Sequence, residues 1–423
     1  MPSASSAPTL PFLERLLDGE KVEWKTLGEV GTFVRGTSFQ KKHFVEKGVG
    51  CIHYGEIYTR YSLFAEKTIS YLNEEIANKA RKAGYGDLII ATTSENDDDV
   101  CKSVAWLGSE NIVVSNDACY YHHTLNPKYV AYFFRTDEFQ RQKRTYITGT
   151  KVKRVNANDL AKITIPIPPL RVQSRIVEIL DKFTQLETEL EAELEARNKQ
   201  YDFYRNRLLD FAHRDDLKGQ VEWKTLGEVA ELVRGNGLSK KDFSEFGVPA
   251  IHYGQIYTYY GNETEETLSF VSPETAKKLQ KVYPGNIVIT NTSENVEDVC
   301  KAVLYSGNVE AVTGGHATII RPKDYILPKY LVYYTLTLDF FTQKKRLAKG
   351  AKVIDVSAKD LAKIVLPLPP LSEQRRIVEI LDRFDTLTNS ISEGLPREIA
   401  LRRKQYEYYR DALLRFPQPA PTA

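Results

Sequence analysis

The sequence predicts an α+β fold in which two similar globular domains are joined by two long antiparallel coiled-coil helices, with a pseudo-two-fold and a nearly circular layout. Three observations predict it. The chain is written twice, each copy closes on a cluster of prolines, and each cluster is followed by a long run of apolar residues at three- and four-residue steps. The chain has 423 residues, 42% hydrophobic and 27% charged, which is globular composition at a length suited to two or three domains.

The repeat is plain to read. Val22 to Val30 recurs letter for letter as Val221 to Val229, and 25 of the 38 positions in 22–59 are identical in 221–258. Ile52-His53-Tyr54-Gly55 returns as Ile251-His252-Tyr253-Gly254, Thr93 to Asn96 as Thr292 to Asn295, and Asp159 to Ile163 as Asp360 to Ile364. The offset is 199 up to Lys102 and 201 from Tyr129, so two residues are gained between those points. A period near 200 is too long for a solenoid and marks a duplicated module.

In chain order, 1–20 reads as an N-terminal extension ending in a helix end, because Arg15-Leu16-Leu17-Asp18 echoes Arg207-Leu208-Leu209-Asp210. Residues 21–167 mix short β-type runs, such as 87–92, with Gly-rich turns, and read as the first α+β domain. Pro166, Pro168 and Pro169 then punctuate the chain, since proline continues neither a strand nor a helix interior. The central helix is placed at 168–214: Ile176, Ile179, Phe183, Leu186, Leu190, Leu194, Arg197, Tyr201, Tyr204, Leu208 and Phe211 form one seam, unbroken by Gly or Pro from Leu170 to Ala212. The second domain follows at 215–368, the second helix at 369–414 and a flexible tail at 415–423. Gly394-Leu395-Pro396 should break the second helix. Since one amphipathic helix cannot bury its stripe alone, the two should pair antiparallel and bring the chain termini together.

Net charge is only +2, so polyanion binding has to come from local patches. Arg141, Lys143, Arg144, Lys151, Lys153 and Arg154 fall in a stretch without an acid, and Lys344, Lys345, Arg346, Lys349 and Lys352 repeat it. With Thr150, Arg35, Lys41, Lys42, Arg234, Lys240 and Lys241, these are the candidate phosphate contacts; Gly149 and Gly350 would allow close backbone approach. Two polar segments supply side chains of the kind that read base edges. The first is His53, Tyr54, Glu56, Tyr58, Thr59 and Arg60, with His252, Tyr253, Gln255, Tyr257 and Thr258. The second is Ser94 and Asn96, with Ser293 and Asn295. The bland reading of each is a capped strand, a structural turn or a solvated charge run.

Catalytic readings find little support. Asp87 and Glu95 are not matched in the second copy by a metal-nuclease pattern, since Asn286 stands where Asp87 does. Cys101 and Cys300 correspond but lack a motif-linked base, and the four cysteines show no zinc spacing. No catalytic site and no metal site is assigned. No stretch of 18 apolar residues and no basic, apolar leader is present, so a cytoplasmic protein without membrane contact is expected.

The Val-Glu-Trp-Lys-Thr-Leu-Gly-Glu openings, the joint from Ile165 to Phe183, Lys199-Gln200-Tyr201, Leu381 to Ile399 and Arg403 to Asp411 resemble the specificity subunit of type I restriction-modification systems, the type IC branch in particular. The resemblance implies two target-recognition domains, each reading half of a split site in double-stranded DNA. It implies helices that set the spacer and dock two methyltransferase subunits, with restriction-translocase subunits joining through the complex. No cofactor would sit in this chain; S-adenosylmethionine, ATP and magnesium would belong to the partners. Glu187 to Leu190 and Glu191 to Leu194 look like units of that branch's four-residue spacer repeat, each adding about 6 Å of helix.

Since the two reading segments are so alike, the half-sites should be nearly the same in inverted orientation, with Glu56 against Gln255 as the expected point of difference. Two other readings compete with a recognition scaffold: a nuclease or methyltransferase with its own site, and a coiled-coil protein-interaction adaptor without base readout.

Overall fold

In a computed structural model, residues 11–214, 217 and 219–417 are described. The first half of the N-terminal extension, the expected boundary at 214/215 and the tail from 418 lie outside the described residues.

The chain forms two compact units, one running to Glu189 and resuming at Ala400, the other spanning Leu190–Ile399. Both divisions fall inside helical segments, so each unit is an α+β body with helix segments packed on it. Both bodies are built the same way. In the first, one five-stranded sheet has the order Gly31–Arg35, Ala118–His123, Leu88–Ala91, Ser103–Trp106, Phe64–Ala65. A second has the order Phe44–Val45, Ser70–Leu72, Val49–Ile52, Ile112–Val114, Lys82–Ala83. Two short ladders complete it: Glu23–Thr26 with Thr164–Ile167, and Thr93–Ser94 with Lys153–Arg154. The other unit repeats every pairing, from Glu222–Thr225 with Val365–Leu368 to Thr292–Ser293 with Ile354–Asp355. The two-residue gain lies after the strand Ala118–His123: three residues lead to the helix Pro127–Phe133, against five before Pro328–Thr335.

The strand Leu88–Ala91 shows why a continuous apolar run was needed. Leu88 and Ile90 face a core shared with Tyr129 and Phe133, while Ile89 and Ala91 face a second core with Ile52 and Ile57. Successive side chains alternate sides, so a strand covered on both faces favours apolar residues at both parities. Ile287, Val288 and Ile289 divide between two cores in the same way.

One expectation is corrected here. Pro166 and Pro367 lie within strands, opposite Trp24 and Trp223. In a two-stranded ladder every strand is an edge, and an edge tolerates a residue without an N–H. The carbonyls of both prolines are occupied: Tyr129 Oη donates to Pro166 O at 2.9 Å and Tyr330 Oη to Pro367 O at 2.8 Å.

The first helix runs Leu170–Leu209 without a break. Its start is clamped to its own body. Buried Gln173 accepts from Asn126 N–H at 3.0 Å and donates to Pro168 O at 2.8 Å; Asp181 accepts from Tyr132 Oη at 2.7 Å and pairs with Lys128 at 2.6 Å. Gln374 and Asp382 repeat the clamp on Leu327, Pro369 and Tyr333. Helix pairing is antiparallel within each unit. Phe183 stacks on Tyr409 while Glu187 pairs with Arg403, and Tyr201 stacks on Phe384 while Arg214 pairs with Glu373. The seam differs in detail from the expected one: Leu209 is buried and Tyr204 exposed, and nothing between 181 and 200 is fully buried. Two helices alone cover only one stripe each.

The second helix breaks as expected, into Leu371–Asn389 and Gly394–Leu413. Gly394 has φ +72, and a Cβ there would meet Thr386 O at 2.4 Å. The two ends of the described residues share a core in the first unit, where Leu13 packs with Leu414 and Phe416 and Trp24 Nε1 donates to Pro417 O at 2.9 Å. Among the described residues no helix is long and apolar enough to cross a membrane, and no group of three or more His, Cys, Asp or Glu could hold a metal ion.

Candidate nucleic-acid interface

The two polar segments and the basic run, distant in sequence, converge on one cleft in the first unit. Tyr54–Thr59 is a short helix whose N-cap, His53, accepts from Gly55 N–H through Nδ1 at 3.2 Å. The strand Thr93–Ser94 leads into the polar loop and pairs with Lys153–Arg154 from the basic run. The latter strand is one side of a tight hairpin closed by the Thr148 and Arg154 backbones, with Gly149 at φ +89. A Cβ at Gly149 would lie 2.1 Å from Val152 O, so glycine is required at this turn. The hairpin tip exposes Thr150, Lys151 and Val152. The cleft has a volume of about 490 Å³ and is lined by Tyr54, Gly55, Tyr58, Thr59, Thr93, Ser94, Glu95, Asn96, Asp99, Lys102 and Val152.

Each of these 11 residues has an identical counterpart in the second unit, from Tyr253 and Gly254 through Glu294 and Lys301 to Val353. The supporting contacts repeat as well. Tyr58 Oη donates to Thr93 O and Tyr257 Oη to Thr292 O, while Lys102 and Lys301 each reach the carbonyl of that tyrosine at 3.2 Å. Asn96 and Asn295 close their loops onto Asp99 and Asp298. Lys102 and Lys301 were not among the expected site residues; the signal was there, a lysine at the same offset in both copies just after the polar loop.

Several expected contacts are corrected by burial. Glu56 is only 8% exposed and is consumed by the fold: Oε2 accepts from His53 N–H at 2.9 Å and Oε1 from Ser70 Oγ at 2.5 Å. Gln255 meets Ser269 in the same place through Nε2 at 2.6 Å. Glu56 is not among the residues lining the cleft, and Gln255 makes the equivalent internal contact, so the Glu56-to-Gln255 change is an internal exchange. His53 and His252 are helix caps, held neutral by burial, with Nδ1 accepting and the ring proton therefore on Nε2. Lys143 has no exposed surface; its Nζ donates to Asp98 O and Val100 O, both at 3.0 Å. Lys344 does the same for Glu297 O and Val299 O. These two lysines tie down the polar loops and cannot reach a phosphate.

Of the remaining candidates, Lys153 is paired with Asp97 at 3.1 Å, Arg144 with Asp98 at 3.3 Å, Arg141 with Glu138 at 2.6 Å and Lys349 with Asp360 at 2.8 Å. Arg35, Lys41, Lys42, Arg60, Lys151, Arg154, Arg234, Lys240, Lys241, Lys345, Arg346 and Lys352 are exposed. The corresponding cysteines Cys101 and Cys300 are buried in the left-handed region at φ 69 and 66, and burial pushes both thiols up to about 12, which keeps them protonated and poor nucleophiles.

The type I restriction modification DNA specificity domain matches the chain twice, over residues 19–197 and 219–401. The chain belongs to this family. It is 37% identical to the specificity subunit of the type I restriction enzyme EcoR124I/EcoR124II of Escherichia coli, over 97% of this chain and 98% of that one. It is 29% identical to a putative type I specificity subunit of Haemophilus influenzae, over 96% and 98% of the two chains. Among solved structures, a chain from work on the assembly and conformational transition of a type I restriction-modification system shares the fold at a TM-score of 0.65 and 18% identity, covering 94% of this chain and 98% of that one. The S subunit from M. genitalium does so at 0.52 and 15%, covering 95% and 98%.

Proposed function

We propose that this chain is the non-catalytic, sequence-reading subunit of a type I restriction-modification complex, each unit recognising one half of a bipartite site in double-stranded DNA. The observation that carries the reading is the cleft: a short polar helix, a polar loop and a basic, glycine-closed hairpin meet there, and its lining is the same in both copies. Phosphates would be met by Lys151 and Lys352 at the hairpin tips and by Lys41, Lys42, Lys240 and Lys241, and base edges by the cleft. Identical linings favour two nearly identical half-sites, read in inverted orientation.

Methyl transfer would be done by two methyltransferase subunits docked on the helices, using S-adenosylmethionine. Translocation and cleavage, with ATP and magnesium, would belong to restriction subunits joining the same complex. The test is to co-express the chain with its methyltransferase subunit and map methylated bases across the host genome. A split motif with near-identical inverted halves is expected. A soluble complex without sequence-confined methylation would refute recognition, and a motif with unrelated halves would refute the near-palindrome.

A further inference from the structure

Two equivalent turn residues beside the clefts differ in chemistry. Asp117 precedes the strand Ala118–His123 and His316 precedes Ala317–Pro322. Their backbones are anchored alike: Asp117 O accepts from Thr92 N–H at 3.0 Å, and His316 O from Asn291 N–H at 2.8 Å. The His316 ring is exposed, lies 4.8 Å from the Tyr253 ring and engages Thr292 Oγ1 through Nδ1 at 3.1 Å. Tyr253 and Thr292 are the counterparts of the cleft-lining Tyr54 and Thr93. His316 therefore stands on the rim of the second cleft, where the first unit carries a shorter carboxylate.

A second nearby difference keeps local charge unchanged. The Asp97–Lys153 ion pair is replaced by Val296 and Ile354, two opposite charges for two apolar groups. Arg154 becomes Asp355 and Arg60 becomes Tyr259, whose ring packs on Tyr260, but His316 is the changed side chain that meets two counterparts of cleft-lining residues, Tyr253 and Thr292. The change from Asp117 to His316 is different, because it converts a group that only accepts into one that can donate.

We propose that position 117/316 is where the two half-sites differ, an inference that rests on the cleft being the DNA-reading surface. Asp117 would accept from an exocyclic amine, cytosine N4 or adenine N6. With Nδ1 of His316 accepting from the Thr292 hydroxyl, its Nε2–H would donate to a major-groove acceptor: guanine N7 or O6, adenine N7 or thymine O4.

The experiment compares methylation motifs of the wild-type chain, Asp117→His and His316→Asp, each co-expressed with the methyltransferase subunit. The wild-type halves should differ at a single base pair. Asp117→His should shift that pair in the first half to the base of the second, by about tenfold in preference, giving a fully palindromic split site. His316→Asp should make the reciprocal change. Wild-type halves identical at every pair, or motifs unchanged by both variants, would overturn this inference and leave DNA recognition standing. The absence of any split motif from the wild type would overturn recognition and this inference with it. For a variant that melts like the wild type yet loses methylation, binding of the complex to oligonucleotides differing at that base pair decides: unchanged preference overturns the assignment.

Discussion

Lys143 and Lys151 lie eight residues apart in one basic run, and the structure gives them opposite jobs. Lys143→Met keeps the aliphatic stem but removes the only charge-assisted link to Asp98 O and Val100 O that the side chain makes. A buried acceptor left without a donor costs about 1–3 kcal/mol, and Val100 O is such an acceptor, while the more exposed Asp98 O can turn to water, so the loss should cost about 1–3 kcal/mol. The ammonium is already disfavoured by burial, which pulls its pKa below the ordinary lysine value and places the net effect toward the lower end. At about 2–4 °C per kcal/mol for a unit of this size, the first unit should melt roughly 2–8 °C earlier. Lys151→Ala with Lys352→Ala should leave melting within about 0.5 kcal/mol, since both side chains are exposed at hairpin tips. That pair should instead flatten the salt dependence of DNA binding, by about one unit of slope for each phosphate no longer neutralised. Calorimetry and salt-titrated fluorescence anisotropy on the complex with its methyltransferase subunit read both effects. If Lys143→Met melted normally and flattened the salt slope, the burial argument would be wrong and Lys143 would be a phosphate contact.

Other outcomes follow from the same contacts. Glu56→Gln should leave the methylation motif unchanged, because Gln255 already occupies the equivalent internal site; a shifted motif would return position 56 to the reading surface. Gly394→Ala forces a left-handed alanine against Thr386 O and should destabilise the second unit by at least about 1–2 kcal/mol, visible as an earlier calorimetric transition. His123 is buried, and burial lowers its pKa to about 4, whereas its counterpart is Pro322. The fold keeps this imidazole neutral while the unfolded chain protonates below about pH 6.5, so stability falls as pH drops from about 6.5 to 4, by about 3 kcal/mol in total. Denaturant melts at pH 7.5 and 5 should show acid lability, and His123→Asn should remove most of it.

The duplication, the helix break at Gly394 and the return of the C-terminus to the first unit were legible in the sequence because each is a matter of identity, spacing or a backbone constraint. Sheet order was not. Strands such as Phe44–Val45 and Thr93–Ser94 are two residues long, too short to show a period, and their partners are non-local. The misread lysines had a visible cue. Lys143 stands four residues after Phe139, and Lys344 four after Phe340, and both phenylalanines are buried. Residues four apart share a helix face, so a lysine on the core side of a basic helix is to be read as a core lysine. Glu56 was misread for a similar reason: a carboxylate three residues after an N-cap reaches back to the cap's N–H.

The clamp at the start of each helix bears on the spacer-setting role that the resemblance implies for the helices. A ruler works only if what it carries cannot swivel on it. Gln173 and Asp181 bind the first helix segment to its body through four hydrogen bonds or ion pairs drawn from the helix Pro127–Phe133, the loop before it and the proline joint. Tyr129 and Tyr330, from the same aromatic helices, lock the Pro166 and Pro367 carbonyls, and those helices pack on the strands Ser103–Trp106 and Ala302–Tyr305 that sit beside the ones leading into the polar loops. The helix start is thus linked toward the cleft through elements that pack on one another. An added helical turn between 187 and 194 would then be passed to the reading surface as a change of position and rotation, with little lost to flexing of the joint. Weakening the clamp, with Gln173→Ala and Asp181→Ala, should therefore broaden the accepted spacer lengths in the methylation motif while the half-site bases stay the same. Loss of half-site specificity with an unaltered spacer would show that the clamp serves the cleft and not the ruler.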